Sequence, residues 1–253
     1  MIPQLRGWTS VQRTSQNNTR LGATLCFVAG ATNAGGFLAV GQYTSHMTGV
    51  LSSVADNLVL GKVTLALAGL LALLAFISGA MTTAWMVNWG LRRKLQSAYG
   101  RPLLLEAALL LVFGLFGTGI NFFAGLFVPL TVLVLCFIMG LQNAVITKIS
   151  HAEIRTTHVT GLVTDLGSEL GKLFYINRLA GATKVTANRS KLRIQLTLIV
   201  SFFVGGLMGA IGFKSVGFIA TLPLSILLLL LVLRPVLNDA KNWIDPHDPD
   251  LDR

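Results

Sequence analysis

The decapeptide Leu25-Cys26-Phe27-Val28-Ala29-Gly30-Ala31-Thr32-Asn33-Ala34 returns as Leu135-Cys136-Phe137-Ile138-Met139-Gly140-Leu141-Gln142-Asn143-Ala144, with six of ten positions identical. Ser45-His46-Met47-Thr48-Gly49 is answered in the same way by Thr157-His158-Val159-Thr160-Gly161. The chain is therefore a duplicated unit. Each copy holds three apolar stretches, 21–40, 63–87 and 102–120 in the first and 126–146, 194–211 and 216–233 in the second. These lengths suit the roughly 17–25 residues of a bilayer-spanning helix. An odd number of spans per copy forces the second copy to insert upside down, about a pseudo-two-fold axis in the membrane plane. The expected fold is an all-α polytopic membrane protein: six transmembrane helices as two inverted three-helix repeats, with a short polar amphipathic or re-entrant helix in each.

Composition agrees, with 53% hydrophobic and only 12% charged residues against about 25% charged in soluble domains. The net charge of +10 forms no aromatic-interleaved basic patch, so nucleic acid is not an expected partner. Basic residues instead fall between spans. Three precede the first (Arg6, Arg13, Arg20), Lys62 alone follows it, four come next (Arg92, Arg93, Lys94, Arg101), then none, then eight between 147 and 193, then Lys214. By the positive-inside rule this alternation puts both termini in the cytoplasm. The expected organisation is a cytoplasmic arm at 1–20, a first three-span repeat at 21–125, an inverted second repeat at 126–235 and an acidic cytoplasmic tail at 236–253. Gly30, Gly35 and Gly36 predict a bent or broken first span. Pro223 predicts an interruption of the sixth. Glu106 falls near the start of the third, where the helix dipole tolerates an acid.

Asn33 and Asn143 must find partners inside their spans. Either they bond each other or a neighbouring helix at the axis, with Gly30, Ala34, Gly140 and Ala144 allowing close packing, or, with Gln142, they line a solute site. His46, Thr48 and Gly49, and likewise His158, Thr160 and Gly161, open an amphipathic helical pattern with the threonine placed as N-cap. Such helix N-termini offer backbone donors to an anion; the alternative is a pair of interfacial helices with solvated histidines. Asp56, Asp165 and Glu169 are candidates for proton or ion coupling, or else the wet face of a surface helix. Arg155 either holds an anionic solute or obeys the topology rule. Cys26 and Cys136 occupy matching apolar positions, where a thiol behaves as a small hydrophobe. Two sulfurs make no metal site, so no metal or cofactor is expected. No zinc-protease motif, phosphate-binding glycine loop or nucleophile elbow occurs, so the chain reads as no enzyme.

Gly30-Ala-Thr-Asn33-Ala34-Gly-Gly-Phe, Ser45-His46-Met47-Thr48-Gly49, Gly140-Leu-Gln142-Asn143-Ala144 and Arg155-Thr-Thr-His158-Val-Thr160-Gly161-Leu-Val-Thr-Asp165 together resemble the YoaK-like membrane protein family (UPF0700, the domain of unknown function 1275), over about residues 20 to 235. The resemblance implies a bacterial inner-membrane setting and supports the fold, while adding little about substrate. Val50 departs from the Asn that often follows Thr-Gly in that pattern.

The expected function is a secondary carrier or facilitator of a small polar solute, anions included, across the inner membrane. Its site would lie between spans one and four and the two short helices. A channel of the same architecture and a non-transporting scaffold or regulator working through its basic 172–193 loop are the alternatives. The lipid bilayer and an unknown solute are the expected partners, and a homo-oligomer is left open.

Overall fold

The computed structural model describes residue 9 and residues 15–116, 124–150, 156–178 and 183–244. Among them run eight α-helices: α1 Ser15–Val40, α2 Met47–Val59, α3 Val63–Arg92, α4 Gly100–Phe116, α5 Ala124–Ile149, α6 Val159–Leu173, α7 Arg189–Val216 and α8 Thr221–Ile244. A 3-10 turn at Gly217–Ala220 joins the last two, and the described residues contain no strand. Four stretches are long and apolar enough to cross a membrane: Gln16–Val40, Val63–Arg92, Val128–Ile149 and Arg189–Asn242, the last running through α7 and α8. Helix α4 has 17 described residues, short of the usual ~20.

Leu67, Leu70, Leu74, Ile77 and Met81 on α3, and Leu196, Phe203, Leu207 and Ile211 on α7, are exposed. Soluble proteins rarely leave apolar strips of this extent uncovered, and a bilayer is the solvent that accepts them.

Helix α1 is one uninterrupted helix of 26 residues, not broken at its glycines, and it begins within the arm expected at 1–20. Its glycines serve packing instead. A Cβ on Gly30 would run into the Phe202 carbonyl of α7, and one on Gly35 into the Phe213 ring. Lost helix propensity, about 1 kcal/mol per glycine, is offset by backbone approach that no larger residue permits. Pro223 likewise interrupts nothing: it sits in the first turn of α8, where its missing N–H would have no helical partner anyway.

The helices pair across the two copies. Helix α1 lies along α7 and α5 along α3, while α4 lies along α8, α2 docks on α3 and α6 docks on α7. Exchanging α1 with α5, α2 with α6, α3 with α7 and α4 with α8 maps each of these pairings onto another or onto itself. The contacts repeat at residue level. Gly205 lies under the Phe27 carbonyl as Gly30 lies under that of Phe202, and Gly79 and Gly140 lie under the carbonyls of Phe137 and Phe76. Of the two packings these glycines allow, the structure makes the one on a neighbouring helix, α7 for the first span and α3 for the fourth.

Where α1 and α5 do cross, buried Leu25, Val28 and Ala29 face the same core as Leu135, Ile138 and Met139. Gln142 donates its amide N–H to the Leu25 carbonyl at 2.8 Å. Buried hydroxyls stitch the other seams: Thr83 to the Leu141 carbonyl at 2.9 Å, Thr221 to that of Leu110 at 2.8 Å and Ser225 to that of Ala107 at 2.7 Å. Each such bond contributes about 0.6 kcal/mol between membrane helices.

Candidate functional site

The two asparagines do not meet. Asn33 Oδ1 accepts from the Ser45 N–H at 3.2 Å and the Ser45 hydroxyl at 2.9 Å. Asn143 Oδ1 accepts from the Thr157 N–H at 3.4 Å, the Thr157 hydroxyl at 2.9 Å and the Thr156 hydroxyl at 3.2 Å. Ser45 and Thr157 are the matching residues just before the two histidines. Each asparagine therefore ties its own span to the turn that launches the following short helix.

Those turns set where α2 and α6 begin. The N-caps are His46 and His158, and Thr48 and Thr160 stand one residue inside the helix. The threonine caps expected from the sequence are displaced because the tethered Ser45 and Thr157 bring the chain into helix earlier. The His46 carbonyl then accepts the Val50 N–H at 3.0 Å and the His158 carbonyl the Leu162 N–H at 3.1 Å. Neither imidazole makes a capping hydrogen bond. Each ring instead lies against the glycine three residues on, where a Cβ at Gly49 or Gly161 would collide with it. The His-x-Thr-Gly spacing is thus a seat for an imidazole on the first helical turn.

A cavity of about 630 Å³ opens beside the first of these seats. His46, Gly49, Ser53 and Asn57 of α2, Gln42 and Tyr43 of the preceding turn, Leu65 and Gly69 of α3 and Val132 of α5 are among its walls. It is a largely apolar cleft with a few convergent polar groups, within the 300–1,000 Å³ typical of small-molecule sites. Val54 fits a notch left by Gly69, docking α2 on α3 at 2.6 Å from where a Cβ would stand.

In the second copy, Asp165 and Glu169 hold the positions of Ser53 and Asn57. Glu169 accepts from Lys172 Nζ at 2.8 Å and from the Asn188 N–H, at the N-terminus of α7, at 2.8 Å. The Lys172 hydrogen bond and then the Asn188 N–H hold this carboxyl below its ordinary value. Asp165 pairs with Lys191 at 3.4 Å, both side chains half exposed, so that contact alone contributes little. Together they latch α6 to the start of α7.

The remaining candidates disperse. Asp56 is exposed on α2, away from any ion pair among the described residues. Gln142 is fully buried at the α1–α5 crossing, its Oε1 without a partner. Gly30 and Gly140 lie in the cross-copy seams, with Ala34 and Ala144 half-buried one turn on. Arg155 lies outside the described residues.

Sequence reasoning read Glu106 only as an acid tolerated near a helix start. Helix α4 begins at Gly100, which puts Glu106 in its second turn, beyond the reach of the helix-start dipole. The side chain is fully buried and neither carboxyl oxygen has a hydrogen-bond partner among the described residues. The signal was a lone acid within Leu103-Leu104-Leu105-Glu106-Ala107-Ala108-Leu109-Leu110.

The family model described as "Protein of unknown function (DUF1275)" matches residues 21–234. The chain is also 33% identical, over 165 residues covering 62% of it and 69% of the relative, to the UPF0700 transmembrane protein YoaK of Bacillus subtilis (strain 168). No solved structure matches it. The matched span runs from the second turn of α1 into α8 and takes in both histidine turns, and on that span the chain belongs to the DUF1275 family of membrane proteins.

Proposed function

We propose that the protein is a secondary carrier or facilitator for a small polar solute, anions included, in the bacterial inner membrane. In this reading α1, α3, α4, α5, α7 and α8 cross the bilayer as two inverted three-helix repeats, with both termini cytoplasmic. The exchange symmetry of the helix pairings and the alternation of basic segments support that topology. The observation that carries the function is the cavity at His46. It is apolar-walled, holds Gln42, Tyr43, His46, Ser53 and Asn57, and abuts the N-terminus of a short helix, which favours negative charge. At the matching positions of the second copy, Glu169 and Asp165 instead tie α6 to the start of α7.

Asn33 and Asn143 act in this reading as tethers of the two histidine turns, while His46 and His158 stay candidates for contacting solute or moving protons. A thermal-shift screen against small anions, amino acids, sugars and metals identifies the solute, because a ligand that binds only the folded state raises its stability. Flux in proteoliposomes then tests the route. Ser53→Trp, which fills the cavity, abolishes uptake; unchanged uptake removes the cavity from the pathway. Flux that neither saturates nor responds to His46→Ala identifies a channel instead.

A further inference from the structure

At the opposite end of α3 from the His46 cavity, a smaller cleft of about 260 Å³ is lined by Trp85, Met86, Trp89 and Arg101. The Arg93 and Arg101 guanidinium carbons stand 4.8 Å and 4.6 Å from the centre of the Trp89 ring. Arg92 and Lys94 adjoin them, and none of these four cations is in an ion pair with a carboxylate among the described residues. The acid joined to this loop, Asp239, spends its oxygens on the Gln96 and Ser97 N–H groups, each at 2.9 Å, and on the Ser97 hydroxyl. It reaches Arg101 only through that hydroxyl, which accepts from Arg101 Nε at 3.3 Å. Two guanidiniums gathered on one ring repel each other, and an anion between or beside them relieves that repulsion.

Lys94 adds an independent sign. It occupies the left-handed position that ends α3, with φ 55°, its N–H bonded to the Leu91 carbonyl at 3.0 Å and the Leu95 N–H to that of Gly90 at 3.0 Å. Glycine usually fills this position, as Gly61 does with φ 69° at the end of α2. A lysine there carries backbone strain that a glycine would not, and it adds an exposed cation to this loop.

The cleft opens toward lipid. Trp85 is 78% exposed and continues the exposed stripe of Leu70, Leu74, Ile77 and Met81 along α3. We propose that this cleft binds the phosphate of an anionic phospholipid, with its acyl chains lying along that stripe. Arginine forks match phosphate oxygens, tryptophans at this depth hold headgroup level, and basic clefts at the ends of membrane helices suit anionic headgroups. A soluble phosphate or an acidic peptide would leave the apolar wall of Trp85 and Met86 without a partner. The inference stands apart from the transport reading, since it concerns the other end of α3 and needs no solute.

The experiment reconstitutes the full chain in phosphatidylcholine bilayers and compares quenching of its tryptophan fluorescence by dibrominated phosphatidylglycerol and by dibrominated phosphatidylcholine. Wild type prefers the anionic lipid; Arg93→Gln with Arg101→Gln lowers that preference by about fivefold for each charge removed. Lys94→Gly lowers it as well while raising the thermal unfolding temperature, a combination that a purely structural lysine does not produce. Equal quenching by the two lipids in wild type overturns the proposal, and so does a preference that survives the double substitution. Displacement of phosphatidylglycerol by millimolar inorganic phosphate also overturns it, identifying a soluble-anion site. If the double variant fails to fold, the wild-type comparison and Lys94→Gly alone decide.

Discussion

Glycine does two different jobs in this chain, and a methyl group tells them apart. At Gly30 and Gly140 an added Cβ meets a backbone carbonyl of the partner helix, Phe202 or Phe76, which cannot turn aside. Gly30→Ala and Gly140→Ala should each destabilise the fold by about 1–3 kcal/mol, as overpacking does. At Gly49 the Cβ meets only the His46 ring, which can swing away, while the helix gains up to ~1 kcal/mol in propensity. Gly49→Ala should therefore leave the unfolding temperature level or higher and shift the His46 imidazole NMR signals; equal losses at Gly30 and Gly49 would contradict the distinction. Glu106 yields a second residue-level prediction. With both oxygens buried and unpartnered, Glu106→Leu should stabilise by about 1–3 kcal/mol, the cost of an unmet buried polar group. Thermal unfolding in bilayers measures it, and a lower midpoint would mean the carboxyl is satisfied in the native membrane. The His-x-Thr-Gly motifs were legible in the sequence as helix starts because their contacts span one helical turn, but the seating of each imidazole on its glycine was not. The role of Asn33 was not, because its partner Ser45 lies across a change of direction that no local pattern encodes.

Helices showed in the sequence by their apolar length, but their ends did not. Helix α1 starts at Ser15 and α8 runs to Ile244, through residues whose helicity carries no apolar signal. Nor did spacing reveal that α2 and α6, alike in pattern, are held by different means. Three residues, Leu60, Gly61 and Lys62, join α2 to α3, so that helix is fixed covalently. Residues 174–188 separate α6 from α7, and Glu169 supplies the missing tie to Asn188. Its carboxyl lies below the ordinary 4.5 when α6 is docked. A group depressed in this way contributes stability that is fully present above its undocked value and is lost as pH falls through the docked one. A spin label on Val163→Cys should therefore report an α6 that is immobile from neutral pH down to about 4.5 and increasingly mobile below it. Glu169→Gln should show the mobile signal already at neutral pH; a label insensitive to both changes would show that apolar contacts alone hold α6.

The duplication was plain from two repeated motifs, yet repeats alone do not say whether each copy folds on itself or on its twin. Here the answer lies in the glycine seams: α1 is seated on α7 and α3 on α5, so the tightest backbone contacts of each copy are made with the other. A first copy expressed by itself keeps α2 docked on α3 but leaves Gly30 and Gly79 facing nothing that fits them. Without a hydrophobic driving force between helices in lipid, close packing is what holds a membrane bundle together, and this copy has lost most of it. Residues 1–125 expressed alone should accordingly be degraded or self-associate, while co-expression with residues 126–253 should restore a one-to-one complex, read by size-exclusion chromatography and cooperative thermal unfolding. A first copy that is monomeric and unfolds cooperatively without its twin would place the stability within the repeat and contradict the cross-copy seams as its source. Were rocking between repeats the mechanism, it would have to leave those glycine seams intact. The moving bodies would then be the cross-copy pairs, α1 with α7 and α3 with α5, turning about the looser α1–α5 crossing where Gln142 makes its bond to Leu25.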